Sequence, residues 1–390
     1  MSVLLTLNAG SSSIKFAVYL TGKGPGDEPE LLQAGQVENL GPVAQLVLKG
    51  AAGQVIDIGP ADHTSAVAAI LRTLDPVLKG RAVTGVGHRI VHGGKTFGAP
   101  VRLTDQVLEQ LEAFVPLAPL HQPHNLAAIR AAIAAFPEAV QVGCFDTSFH
   151  KGHPFVNDTF GLPRRFYDQG VRRYGFHGLS YDYITSCLRR DWPELAKGRV
   201  VIAHLGNGAS MCALKDGRSM GSTMGFSALD GLPMGTRCGQ LDPGVLLYLM
   251  DQGLGVQEIT QILYHESGLK GLSELSHDMR ILLASDDSKA REAIEYYVFR
   301  IRRELGGMAA VLGGIDGMVF CGGIGENASE IRARVIDGMG FLGLELDAKA
   351  NAANATKIGS GPAQVLMIRT DEEQVIARAV AKELHAGKCD

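Results

Sequence analysis

Residues 4–19 read LLTLNAGSSSIKFAVY. Two apolar runs, 3–7 and 14–19, flank Asn8, Ala9, Gly10 and the serines Ser11, Ser12 and Ser13. In the second run Ile14, Phe16, Val18 and Leu20 alternate with Lys15, Ala17 and Tyr19. That is the two-residue period of a strand, not of a helix. The small-residue turn therefore joins strand to strand, which excludes a P-loop, whose GxxxxGK[ST] opens a helix. A turn of glycine and serine lets several backbone N–H groups converge on an anion, with hydroxyls as further donors. Lys15, on the outgoing strand, is placed to meet the same phosphate as a point charge, and Asn8 to hold a metal-bound water. The same residues also suit an ordinary polar hairpin, and this stretch alone leaves both readings open.

A second copy of the pattern shifts the balance. Residues 200–205 are apolar and run into Gly206, Asn207, Gly208, Ala209 and Ser210, after which 211–214 continue as a strand to the turn Lys215-Asp216-Gly217. Two strand–turn–strand units about half a chain apart point to internal duplication and favour the phosphate-facing reading of both. A third element, MVFCGGIGE at 318–326, reads as a strand entering glycines, with a helix starting near Asn327 or Ser329. Glycines before a helix N-terminus suit close approach of a nucleotide's phosphates or adenosine. The last apolar run, 365–368, leads through Arg369-Thr370-Asp371-Glu372-Glu373 into a helix expected over 374–384. Thr370 and Asp371 are candidate caps. Glu372 is either a first-turn carboxylate or part of a magnesium site.

Elsewhere the periodicity predicts helices over 62–79, 104–114 and 125–136 and strands over 83–91 and 139–145, with a proline-bearing loop over 150–168. At 390 residues two domains are expected. The pattern changes near residue 148, so the expected division is 1–147 plus 372–390 against 148–371. With 37 basic and 41 acidic residues the net charge is −4, which leaves no electrostatic footprint for nucleic acid or an anionic membrane. The six cysteines are scattered, with no CxxC pair, and read as reduced thiols. With no signal peptide ahead of the first strand, the expected location is cytoplasmic. The longest weakly charged run, 306–325, is broken by glycines and Asp316, so no membrane span is expected. His121/His124 and His150/His153 have His-x-x-His spacing, but neither pair falls on an expected helix, which disfavours a zinc site.

The blocks LNAGSSSIKF, GHRIVHGG, FDTSFH, YGFHGLSY, HLGNGAS, DGLPMGTRCGQLDPG, FCGGIGEN and TDEE occur in the order seen in acetate kinases, and the chain resembles that family over essentially its whole length. The resemblance implies an α/β fold of duplicated ribonuclease-H-like (actin-like ATPase) domains with a nucleotide cleft between them. It implies a homodimer joined mainly through the second domain. The implied reaction is reversible phosphoryl transfer from ATP to acetate, giving acetyl phosphate and ADP, with Mg²⁺ (Mn²⁺ able to substitute). By matching motif, Asn8 and Glu372 serve the magnesium site and Lys15 the nucleotide phosphates. His204, Leu205, Gly206, Asn207 and Gly208 line the ATP site, with Asp278, Met279 and Arg280 and with Gly322, Gly323, Ile324, Gly325 and Glu326. Arg89 and Arg237 bind the acid and the transferring phosphoryl, His177 contacts the phosphoryl oxygens, and Asp146 lies beside them. Val91, Leu120 and Phe176 wall the methyl pocket.

The chemistry suits these residue types. An anionic acceptor attacks an anionic donor, so cations must screen both, and a guanidinium holds a carboxylate bidentately while always charged. A carboxylic acid is already ionised at neutral pH, so Asp146 has little proton to remove. The expectation is that Asp146 fixes an arginine and orients magnesium-bound water. One position departs from the family pattern: Ala228 stands in GFSALDG where proline is common. A smaller residue in the acid pocket leaves room for a further methylene, worth about 1–3 kcal/mol of discrimination, so propionate is expected within reach after acetate. Propionate or another short-chain fatty acid kinase is the rival enzyme reading, and an actin- or chaperone-like ATPase without a small acceptor is the rival class. A Rossmann dehydrogenase fails because the glycine turns lead into strands.

Overall fold

The computed structural model describes residues 2–10, 13–22, 24, 26–50, 53–118 and 121–386. Ser11, Ser12, Leu120 and Cys389 lie outside them. The chain divides into two compact units, Met1–Phe149 with Asp371–Asp390, and His150–Thr370.

The first unit is built on strands β1 (Val3–Ala9), β2 (Ile14–Leu20), β3 (Glu30–Glu38), β4 (Gly41–Lys49), β5 (Gln54–Ala61), β6 (Val83–Ile90), β7 (Val101–Arg102) and β8 (Val140–Phe145). They form one sheet in the order β5-β4-β3-β2-β1-β6-β8-β7. The second unit holds β9 (Arg199–Leu205), β10 (Ala209–Lys215), β11 (Arg218–Ser222), β12 (Gly317–Cys321) and β13 (Gln364–Met367) in the order β11-β10-β9-β12-β13. In the first sheet β1 pairs antiparallel with β2, and β2 with β3, while β6 runs parallel to β1 and β8 to β6. In the second, β9, β10 and β11 are successively antiparallel, and β12 and β13 run parallel to β9. Order and sense are the same in β3-β2-β1-β6-β8 and β11-β10-β9-β12-β13, which is the duplication read from the paired hairpins and the ribonuclease-H-like α/β architecture that the family resemblance implied.

Every residue of β1 is buried, so both faces of the first sheet are covered at that strand. The face of Val3, Leu5 and Leu7 packs on Ala66, Val67, Ile70 and Leu74 of helix His63–Leu78 and on Ala128 and Ala132 of helix Gln122–Ala135. The other face carries helix Glu372–Ala386, and β6 admits it by having no side chains there. A Cβ on Gly85 would sit 2.5 Å from a Val380 methyl carbon, and one on Gly87 2.3 Å from an Ile376 methyl carbon. Because side chains alternate along a strand, Arg89 follows Gly85 and Gly87 onto that face, and Asn8 follows Leu4 and Thr6. Strand parity therefore delivers both side chains to the start of the helix formed by the end of the chain.

Several boundaries differ from expectation. The glycines after β12 are themselves helical, Gly322–Asn327, followed by Ser329–Ile336; three glycines among the first four residues permit the turn to tighten directly off the strand. Helix Gln122–Ala135 begins earlier than expected, with Pro123 in its first turn, where a missing N–H costs nothing, so His124 is helical. The final helix starts at Glu372, with Asp371 accepting from the Gln374 N–H at 2.9 Å. The stretch expected as loop contains two short helices, Phe155–Asp158 and Arg164–Asp168. No helix among the described residues is long and apolar enough to cross a membrane.

Candidate active site

In the first unit, Arg89 near the end of β6 meets Asp146, which follows β8. The pairing is close: Arg89 Nε donates to Asp146 Oδ1 at 3.0 Å and Nη2 to Oδ2 at 2.6 Å. Asp146 is buried, and its backbone N–H donates to the Ile90 carbonyl at 3.0 Å, which locks the carboxylate beside the strand. Arg89 Nη1 donates to Asn8 Oδ1 at 3.0 Å. The Asn8 amide in turn donates to Glu372 Oε2 at 3.3 Å, and that oxygen lies 3.7 Å from Arg89 Nε. Burial works against the charge on Arg89, but the fields of Asp146 and Glu372 more than reverse this and raise its pKa. Glu373, next on the helix, is pushed upward by burial and by Glu372, with Lys15 opposing.

These residues suit a hard divalent cation. Glu372, with Glu373 beside it, offers carboxylate oxygens, and magnesium bound by one or two carboxylates keeps several waters; among the described residues no group of three or more His, Cys, Asp or Glu side chains is placed to hold a metal ion. The Asn8 oxygen faces Arg89 while its nitrogen faces Glu372, which suits a role on metal-bound water more than direct ligation.

Two residues brace this cluster without having been foreseen, Asn125 buried and His63 half-buried. Asn125 accepts from the Val91 N–H at 3.0 Å and donates to the Ala9 carbonyl at 2.7 Å, tying the ends of β6 and β1. His63 Nε2 lies 2.8 Å from the Gly10 carbonyl, beside the first hairpin turn. Nothing in their local sequence marks either residue. Val91 is buried; its proposed companion Leu120 lies outside the described residues.

In the second unit His177 precedes helix Gly178–Asp191 with a left-handed backbone, φ 57°. Its Nδ1 lies 2.8 Å from Ser210 Oγ in β10, and its ring stacks on His204 at 4.3 Å between centroids. A Cβ on Gly208 would come within 3.2 Å of His177 Nε2, so the second hairpin passes this ring closely only with glycine there. His204 Nδ1 bonds Ser180 Oγ at 2.8 Å, which continues to Thr370 Oγ1 at 2.8 Å. The glycine turns also interlock. Gly206 N–H donates to the Gly208 carbonyl at 3.0 Å, and a Cβ on Gly322 would sit 2.7 Å from the Leu205 carbonyl oxygen. Asn207 accepts from the Gly235 N–H at 3.1 Å through its carbonyl.

Glu326 turns back to accept from the N–H groups of Gly322 at 3.0 Å and Thr370 at 3.1 Å. Arg332, fully buried, donates to the Gly325 carbonyl at 2.8 Å and to Asn351 Oδ1 at 2.7 Å. It holds the helix that contains Gly323 and Ile324 from behind. Arg237 donates to the Ala228 carbonyl at 3.1 Å and approaches the Met234 sulfur at 3.6 Å, so the residue that departs from the family pattern touches the second candidate arginine. Phe176 is buried. Asp278 caps helix Met279–Leu283 and pairs with the exposed Arg280 at 2.5 Å; hydrogen bonds from Arg280 lower its pKa to about 2. Met279 is buried. Asp278 and Arg280 thus satisfy each other.

A profile of the acetokinase family matches residues 3–378. An acetate kinase of Methylocella silvestris is 56% identical over 388 residues, spanning 96% of each chain. Among solved structures, an acetate kinase of Porphyromonas gingivalis superposes with a TM-score of 0.88 at 36% identity, covering 98% of this chain and all of that one. A propionate kinase of Francisella tularensis superposes with a TM-score of 0.90 at 35% identity, over 97% and 99% of the two chains. From the duplicated sheets to the residues at their strand ends, this chain belongs to the acetokinase family.

Proposed function

We propose that the chain is an ATP:acetate phosphotransferase, transferring the γ-phosphoryl group reversibly and in line to acetate. A carboxylate oxygen of acetate forms a bond to phosphorus as the bond to the ADP oxygen breaks, giving acetyl phosphate and ADP. No proton has to move, because the acceptor is already ionised. The observation that carries the reading, beside family membership, is the clamp on Arg89. Asp146 and Asn8 take one N–H from each of its three nitrogens, so two of the five donors of a guanidinium stay available to an incoming anion. Asp146 is a positioning partner of the arginine, not a base. Mg²⁺, or Mn²⁺ in its place, supplies charge neutralisation on the nucleotide when bound, with Glu372 and Asn8 holding it through its water and Lys15 adding charge nearby. Arg237 is assigned to the acid and His177 to the phosphoryl oxygens, donating a hydrogen bond there.

A second reading, propionate as an alternative acceptor, is favoured by Ala228 and by its contact with Arg237. A homodimer accompanies the reading, supported by helix Pro243–Asp251, in which Leu247, Tyr248 and Met250 are all exposed. A cytoplasmic location is supported by Cys144, Cys187, Cys212, Cys238 and Cys321 being free thiols. The test is hydroxylamine trapping of the acyl phosphate with ATP, Mg²⁺ and a panel of two- to four-carbon acids. Acetate is expected to give the highest turnover and propionate a lower one, with R89A and R237A each losing at least about 10²-fold in kcat/KM. ATP hydrolysis indifferent to any carboxylate would overturn the assignment.

A further inference from the structure

His150 lies outside the residues assigned above, yet its bonds lead straight to His177. Its Nε2 lies 3.0 Å from the Phe176 carbonyl oxygen and its Nδ1 2.8 Å from Ser219 Oγ. A carbonyl can only accept, so Nε2 carries the proton. The ring is buried, and burial lowers its pKa to about 3, which keeps it neutral. Nδ1 therefore accepts, and the Ser219 hydroxyl donates to it. Ser219 Oγ is left to accept, and two donors are in place: His153 Nε2 at 2.8 Å and the Cys212 thiol at 3.3 Å. Burial raises the Cys212 pKa to about 12, so the sulfur keeps its proton. Every group in the chain from His153 through Ser219 and His150 to Phe176 has one consistent role.

The segment at the end of this chain is strained. Gly175 has φ +74° and packs so closely that a Cβ there would sit 2.5 Å from the His150 ring. Two residues on, His177 adopts the left-handed conformation, which a residue with a side chain enters at a cost of roughly 1 kcal/mol or more. His150 thus covers the inner side of this turn and anchors the carbonyl between the two positive-φ residues.

We propose that His150 is a positioning residue, its tautomer set by the Phe176 carbonyl and its ring held by Ser219, that fixes this carbonyl so that His177 presents its imidazole to the transferring phosphoryl group. The proposal rests on the role given to His177 under the proposed function. Two substitutions separate its halves. H150Q can place an amide N–H where Nε2 was, whereas H150N reaches only as far as Nδ1 and loses the Phe176 bond. Steady-state kinetics of acetyl phosphate formation should show kcat reduced about 10- to 100-fold in H150N, KM for ATP and acetate within about twofold of wild type, and H150Q largely restored. S219A, which leaves the ring in place but removes the bond that orients it through Nδ1, should fall between them, and it carries the test if H150N does not fold. In a double-mutant cycle with H177A, the H150N loss should vanish, because the group being positioned is gone. Full activity in H150N, or in S219A where that variant carries the test, overturns the positioning role if H177A is impaired; so does a loss that simply adds to that of H177A. Full activity of H177A itself overturns the reading of His177, and the two failures are told apart by which single variant keeps its rate.

Discussion

Asp146 shows how little of a side chain's role lies in its own chemistry. It is a buried carboxylate at a strand end, the usual setting of a general base, but both its oxygens are spent on Arg89. In the proposed reaction the acceptor is ionised and there is nothing to deprotonate, so the role we propose for Asp146 is to set the direction in which the guanidinium points. D146N keeps the shape, removes the charge and loses half of the bidentate bond. We expect kcat to fall about 10²-fold and to stay low as pH is raised from 7 to 9, read from a pH–rate profile. Recovery of the rate at high pH would instead mean that a proton transfer had been lost. Asp146 was nameable from the FDTSFH block. That it clamps an arginine was an expectation on chemical grounds, and the bond distances now give it a partner, Arg89, 57 residues away.

Among the elements, the contact between the second hairpin and the short helix after β12 depends on a single glycine. Gly322 has φ +75° and faces the Leu205 backbone, whereas a Cβ on the adjacent Gly323 would meet nothing within 4 Å. G322A is expected to lower stability by about 2 kcal/mol and to raise KM for ATP several-fold, because Leu205 leads directly into Gly206–Gly208. G323A is expected to leave the melting temperature nearly unchanged. Thermal melts and ATP titrations of the pair check this, and equal effects of the two would remove the special role of Gly322. The GGIGE motif was visible in the sequence, but its helicity was not. Runs of glycine disfavour a helix, and here Glu326 bonding to Gly322 and Arg332 bonding to Gly325 supply the support that local preference withholds.

For the molecule as a whole, three buried histidines set the response to acid. Burial lowers the pKa of His88 and of His92 to about 4, and that of His150 to about 3. Above the unfolded value of 6.5 both states are neutral and these groups contribute no pH dependence. As pH falls below 6.5 the unfolded chain takes up protons that the native rings refuse, so stability drops, by at most about 1.4 kcal/mol per pH unit for each histidine. The loss levels off once the native rings also titrate. His124 and His153, also lowered by burial, act in the same direction; Glu373, with a raised pKa, has the opposite sign, but it is one group against five. A melting temperature that falls by several degrees between pH 7.5 and pH 5 is expected; a flat profile would show these rings to be hydrated. Assembly is a separate matter. The exposed apolar side chains of helix Pro243–Asp251 should be covered by a second copy, so light scattering should give twice the chain's mass, and L247E should shift it toward the monomer. A wild-type monomer would leave that face without its assigned occupant.

The strand alternation on either side of each glycine turn, the repeat of that unit half a chain later and the ordered blocks of the acetokinase family are local or linear properties, and they were enough to settle two like-built sheets and the class of chemistry. Which charged group meets which was decided only by tertiary structure. Asn8 and Glu372 are 364 positions apart, and they touch because strand parity sends Asn8 to the face on which the final helix packs, a face opened by Gly85 and Gly87. The left-handed turn at His177 and the His153–Ser219–His150 chain likewise join distant segments. Periodicity reports which side of an element is buried, but hydrogen-bond partners are chosen by packing between elements, and packing leaves no period in the chain.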